Sequence, residues 1–188
     1  MVSISERRQR ELAQRAELIV GAARELAEEQ GWDAVTTRRL AERVEYSQPV
    51  LYSHFAGKDA IVDAVAVAGI AELAERLRAA VADASPGREA VGAAARAYFA
   101  FAVDHPAAYQ AMFTLATGLP FATDDAPQAL KDSFGELTKV LPPVSENTGS
   151  LTEVFWSTLH GIAVLVASGR MRPEHQEERL SIVIDLFG

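Results

Sequence analysis

Hydrogen-bonding and aromatic side chains crowd into one short stretch, Glu45-Tyr46-Ser47-Gln48-Pro49-Val50-Leu51-Tyr52-Ser53-His54-Phe55. A glutamine amide can pair in a bidentate way with an adenine edge, and small apolar groups can meet a thymine methyl. A tyrosine hydroxyl or a histidine ring can hydrogen-bond phosphate oxygens, which positions a protein on nucleic acid without reading its sequence. Pro49 suits the first position of a helix, where no N–H is needed and φ near −65° is already right. Leu51 and Phe55 are four apart, so both can anchor one side of that helix on a core. Ser47, Gln48, Pro49, Val50 and Tyr52 are then left to face outward near its N-terminal end. Lys58 lies near the start of the next helix, where the cation and the helix terminus both favour an anion.

Other chemistries find no support. The four histidines, His54, His105, His160 and His175, are scattered without metal-ligand spacing. There is no cysteine, so disulfides, thiolate nucleophiles and thiolate metal sites are excluded. No Gly-rich phosphate loop and no HExxH occurs. Neither an enzyme nor a bound cofactor or metal is expected.

The elements that must hold these residues read as helices throughout. Leu12, Ala16, Ile19, Val20, Ala23, Leu26 and Ala27 follow helical spacing, which predicts a first helix over 6–30, stopped by Gly31 with Trp32 folding back on its last turn. Thr36 or Thr37 caps a short helix over 38–44, and a second short helix covers 49–55. Further helices are expected over 59–83, 88–104, from 104–106 to 115, and over 127–141, 151–168 and 173–187. Loops are expected at 83–89, 117–127 and 142–150. The fold class is all-α, about nine helices: an N-terminal three-helix helix-turn-helix domain (1–58), then a C-terminal helical bundle (59–188).

Charge distribution agrees with that division. The whole chain of 188 residues has net charge −8, but residues 1–60 carry −1 and residues 61–188 carry −7. Segments 1–24 and 36–58 are each +2, so two locally basic stretches can meet phosphates while the remainder repels them. No run of eighteen apolar residues exists, and the N-terminus lacks an apolar signal core. The expectation is a cytoplasmic protein with no membrane partner.

Two short helices joined by a tight turn and braced by longer ones form a helix-turn-helix, whose second helix lies in the major groove. The residues "GWDAVTTRRLAERV" and "LYSHFAGKDAIV" resemble the helix-turn-helix signature of the TetR family of bacterial transcriptional regulators. The resemblance covers about residues 12–62. It implies base contacts by Arg38, Gln48, Pro49 and Val50, and phosphate contacts by Thr37, Tyr52, His54 and Lys58. Two positions depart from it. Glu45 stands in the turn where the family usually has glycine, and Tyr46 where a small aliphatic is usual.

In the remaining two-thirds, Tyr98, Phe101, Tyr109, Met112, Phe113, Trp156 and His160 are candidates to line a ligand pocket between helices, although core packing accounts for most aromatics there. Trp156 and His160 are four apart on one helix face, and Gly161 allows a close helix approach. With "HPAAYQAMF" this segment resembles a WHG-type regulatory domain of a TetR subgroup, which implies ligand binding and dimerisation. The last two helices carry Leu159, Ile162, Leu165 and Val166, then Leu180, Val183, Ile184 and Phe187. That wide apolar face predicts a homodimer through a two-fold four-helix bundle. A symmetric dimer fits a palindromic operator in double-stranded DNA, with a small-molecule effector, lipophilic or aromatic, releasing it as a repressor. A helical carrier whose reading head no longer binds DNA remains the alternative, because of Glu45.

Overall fold

The structure is a computed structural model, and it describes residues 4–116, 118–121, 123–143 and 147–188. The expected loop positions 117 and 122 and linker positions 144–146 lie outside the described residues.

Among the described residues there are nine α-helices and no strand: α1 (Ile4–Gln30), α2 (Thr37–Arg43), α3 (Gln48–His54), α4 (Lys58–Val81), α5 (Arg88–Asp104), α6 (Pro106–Gln110), α7 (Gln128–Lys139), α8 (Thr148–Ala167) and α9 (Gln176–Phe187). Short 3-10 turns at Trp32–Ala34 and Pro173–His175 precede α2 and α9. The boundaries follow local chemistry. Gly31 (φ 79°) ends α1 in a conformation that costs glycine little. Pro106 opens α6 and Pro173 opens the turn before α9, positions that need no N–H. One element departs from expectation. The helix expected to run on to Leu115 changes to a π turn over Ala111–Leu115.

The chain packs as two units, Met1–Gly69 with His105–Pro120, and Ile70–Asp104 with Phe121–Gly188. The division falls inside α4 and again between α5 and α6, while α1, α2 and α3 lie wholly in the first unit. The core of the first unit includes Ile19, Ala23, Leu26, Leu40, Leu51, Ile61 and Val65. Gly69 on α4 allows close approach to the π turn, since a Cβ there would sit 2.9 Å from the Met112 sulfur. The core of the second unit includes Leu73, Leu77, Val91, Tyr98, Phe101, Leu137, Phe155, Leu159, Leu180 and Val183.

Within the second unit α8 buries the row Thr152, Phe155, Leu159 and Ala163, the i, i+3, i+4 pattern of a packed helix face. By length and composition alone α8 could cross a membrane, with mean hydropathy 1.3. Its packing against α5 and α7 accounts for that row without a bilayer.

Candidate nucleic-acid interface

α2 and α3 are set by their caps. The Thr36 hydroxyl accepts a hydrogen bond from the Arg39 N–H at 3.3 Å, the N-terminal cap that threonine provides. At the other end of α2, Tyr46 N–H donates to the Ala41 carbonyl at 2.9 Å and Glu45 N–H to the Glu42 carbonyl at 3.4 Å. These two bonds are a Schellman motif, with Glu45 at the position usually held by glycine. Glu45 has φ 56°, and it is the only described non-glycine residue with positive φ. The turn between α2 and α3 therefore closes normally, at a conformational cost of about 1 kcal/mol for a side chain in that region. Ser47 caps α3 through its carbonyl, which accepts from Val50 and Leu51, and Pro49 lies in the first turn.

Burial sorts the faces of α3. Leu51 is buried and Phe55 half-buried, while Ser47, Gln48, Pro49 and Tyr52 are exposed and Val50 and His54 half-buried. On α2, Arg38 is exposed and its guanidinium donates to Glu42 at 3.0 Å, a surface pair that DNA phosphate can replace at small cost. Half-buried Thr37 has its hydroxyl 3.4 Å from that of Tyr52. The structure thus brings Thr37 and Tyr52 together and leaves Gln48 and its neighbours open on one side.

Three cations near this face already have protein partners. Arg43 donates to Glu29 at 2.6 Å and to Glu25 at 3.2 Å, tying α2 to α1. Each side of that pair holds the other charged: the hydrogen bond raises the Arg43 pKa and lowers that of Glu29. Arg39 donates to the Gln30 side chain at 2.7 Å and to the Ala34 carbonyl at 3.2 Å. Lys58 donates to the Trp32 carbonyl at 2.6 Å.

That last bond belongs to a set of contacts that the sequence did not announce. The Trp32 ring is buried, and its indole N–H donates to the Ala107 carbonyl at 2.9 Å. Glu28 accepts from the N–H groups of Ala107 and Ala108 at 2.9 and 3.1 Å. A carboxylate from the last turn of α1 therefore caps the N-terminus of α6, where negative charge is favoured. A buried indole signals that its N–H has a partner, but nothing in the local pattern locates one 75 residues away.

The expected ligand residues fall in two groups. Tyr109, Met112 and Phe113 belong to the first unit, with the Tyr109 and Phe113 rings 4.8 Å apart on α6 and the π turn. Tyr98, Phe101, Trp156 and His160 belong to the second. There the Trp156 indole donates to the Tyr98 hydroxyl at 3.1 Å, and the Trp156 and His160 rings lie 6.2 Å apart. Burial lowers the His160 pKa, which favours a neutral ring. Phe101 is fully buried under the Arg76 guanidinium, 5.5 Å from its ring centre.

Of the residues expected to meet a second subunit, Leu159, Leu180 and Val183 are buried within the chain, and Phe187 packs its ring 5.1 Å from Phe155. Periodicity identifies an apolar helix, but it does not separate the side that packs internally from the side that meets a partner. Ile162, Leu165, Val166 and Ile184 are half-buried. The exposed large apolar residues of α8 and α9 are Val154, Val164, Ile182 and Leu186.

Comparison with known proteins agrees with both ends of the chain. Residues 19–65 match the family described as "Bacterial regulatory proteins, tetR family", and residues 91–187 match "Tetracyclin repressor-like, C-terminal domain". An uncharacterised HTH-type transcriptional regulator of Bacillus subtilis, YobS, is 32% identical over 176 residues, 90% of this chain and 88% of that one. The tetracycline repressor class A of Escherichia coli is 50% identical over 54 residues, 29% of this chain and 25% of that protein. A solved structure from Rhodococcus sp. RHA1, of unknown function, superposes with a TM-score of 0.75 at 25% identity and covers 92% of both chains. The capped α2–turn–α3 module, its open reading side and these two matches lead to one conclusion: the chain belongs to the TetR family of bacterial transcriptional regulators, which bind DNA.

Proposed function

We propose that the chain acts as a cytoplasmic homodimeric repressor, in which α3 of each protomer enters the major groove of a palindromic operator. The observation that carries this is the division of α3: Leu51 buried on one side, Ser47, Gln48 and Pro49 exposed on the other. Gln48 would read adenine, Pro49 and Val50 would meet thymine methyls, and Arg38 would reach a further base edge. Thr37, Tyr52, His54 and Lys58 would hold phosphates. For Lys58 this means exchanging the Trp32 carbonyl for phosphate, or reaching both. Glu45 does not stand in the way, because the Schellman bonds form around it.

A small lipophilic or aromatic effector would bind near the side chains already named in each unit, with Tyr98, Trp156 and His160 as one polar-aromatic group. α4 contributes residues to both units, so a ligand that prefers one arrangement of α4 would change the spacing of paired reading helices. Ile162, Leu165 and Val166, with exposed Val154, Ile182 and Leu186, would supply the subunit contact.

Selection of bound duplexes from random DNA tests the reading. It should enrich a palindrome with half-sites about one helical turn apart. A folded dimer that enriches no sequence at low salt would overturn it in favour of a helical carrier.

A further inference from the structure

α1 is longer than its packing requires. Among its described side chains the first buried one is Ile19, and every side chain from Ser5 to Arg15 is exposed. The family match also begins at residue 19. The preceding 15 residues of helix extend about 22 Å at 1.5 Å per residue, and from Ser5 to Arg15 no side chain is even half-buried. An isolated helix of that length is marginal in water.

At about 100° per residue, Arg8 and Arg15 lie on one side of α1 with Glu11, and Arg7 is about 80° further round; Arg10 falls with Glu6 and Glu17 on the opposite side and donates to the Glu6 carbonyl at 3.4 Å. Glu11 is the one acid among the arginines, and it reaches Arg7 only at 4.0 Å. Arg8 and Arg15 form no ion pair among the described residues. This contrasts with Arg39 and Arg43, which are spent on holding α2 to its surroundings. Arg7 also lies roughly 30 Å along the helix from the end that Glu28 fastens to α6.

We propose that the exposed half of α1 is a second DNA contact, in which Arg7, Arg8 and Arg15 meet phosphates of the duplex flanking the half-site. The proposal rests on the reading of α3 as the operator-contacting helix. Charge complementarity supports DNA as the occupant: a cationic strip in a chain of net charge −8, in the same packing unit as the reading helix. The contact carries no sequence information and adds affinity through counterion release.

Binding to two duplexes tests it, one trimmed to the selected operator and one extended by about one helical turn, roughly 10 bp, at each end. The native chain should bind the longer duplex at least ~10-fold tighter at low salt. Its salt dependence on that duplex should be steeper by about 0.9 for each added phosphate contact. Arg7→Ala/Arg8→Ala/Arg15→Ala should bind the trimmed duplex as the native chain does and lose the preference for the longer one. The matching triple lysine variant should keep it, which separates charge from folding. Equal native affinity for the two duplexes, or a triple alanine variant that keeps the preference, would overturn the flank contact while leaving operator reading intact. A native chain that prefers neither duplex over random DNA would instead remove the operator reading, and the flank contact with it.

Discussion

Gln48 and Glu45 are three residues apart and illustrate two kinds of information. The exposure of Gln48 at the start of α3 is legible from its neighbours, because Ser47 and Pro49 mark a helix start and Leu51 marks the buried side. Glu45 was recognisable as an anomaly, and its φ of 56° shows what it tolerates. Glu45→Gly should raise stability by about 1 kcal/mol, since glycine occupies that region without a Cβ penalty. Urea unfolding checks this, and an unchanged or lower midpoint would mean that the Glu45 side chain contributes a compensating contact. The internal partners of Lys58, Arg39 and Arg43 were not legible. Each is set by the fold, such as the Trp32 carbonyl 26 residues from Lys58. A cation on a helix surface looks the same in sequence whether it waits for phosphate or closes an internal bond.

Helix limits were legible to within a few residues, because caps, prolines and apolar spacing are local. The π turn at Ala111–Leu115 was not. Five residues are too few for spacing to separate a 3.6-residue turn from a wider one. The link between α1 and α6 was equally hidden, since Glu28 reads as one more surface acid in "AEEQ". It in fact satisfies two N–H groups of α6 at 2.9 and 3.1 Å. Glu28→Ala should leave them without a protein partner and cost about 1–3 kcal/mol, whereas substitution of the neighbouring exposed Glu25 by alanine should cost far less. Thermal unfolding of both variants makes the comparison, and equal midpoints would show that the cap contributes nothing.

For the whole molecule, the all-helical architecture followed from periodicity, while the placement of its packing units did not. Contacts divide at Gly69, inside a continuous helix, and no composition change marks that point. The apolar face of α8 and α9 was legible as a face but not in its assignment, because Leu159, Leu180 and Val183 turn inward. The surviving outer residues set the prediction. Ile182→Glu/Leu186→Glu, at sites 58% and 71% exposed, should preserve folding and shift sedimentation from dimer to monomer. A variant that stays dimeric would place the subunit contact elsewhere.

The central claim is that α3 reads bases through Gln48, and anisotropy titrations on the selected operator test it most directly. Gln48→Ala should weaken operator binding by roughly 5- to 150-fold, the 1–3 kcal/mol of a bidentate base pairing, while leaving binding to random duplex unchanged. Replacing the contacted adenine should weaken the native chain by a similar factor and the variant hardly at all. Native-like operator affinity in Gln48→Ala, or an equal loss on random duplex, would contradict the account.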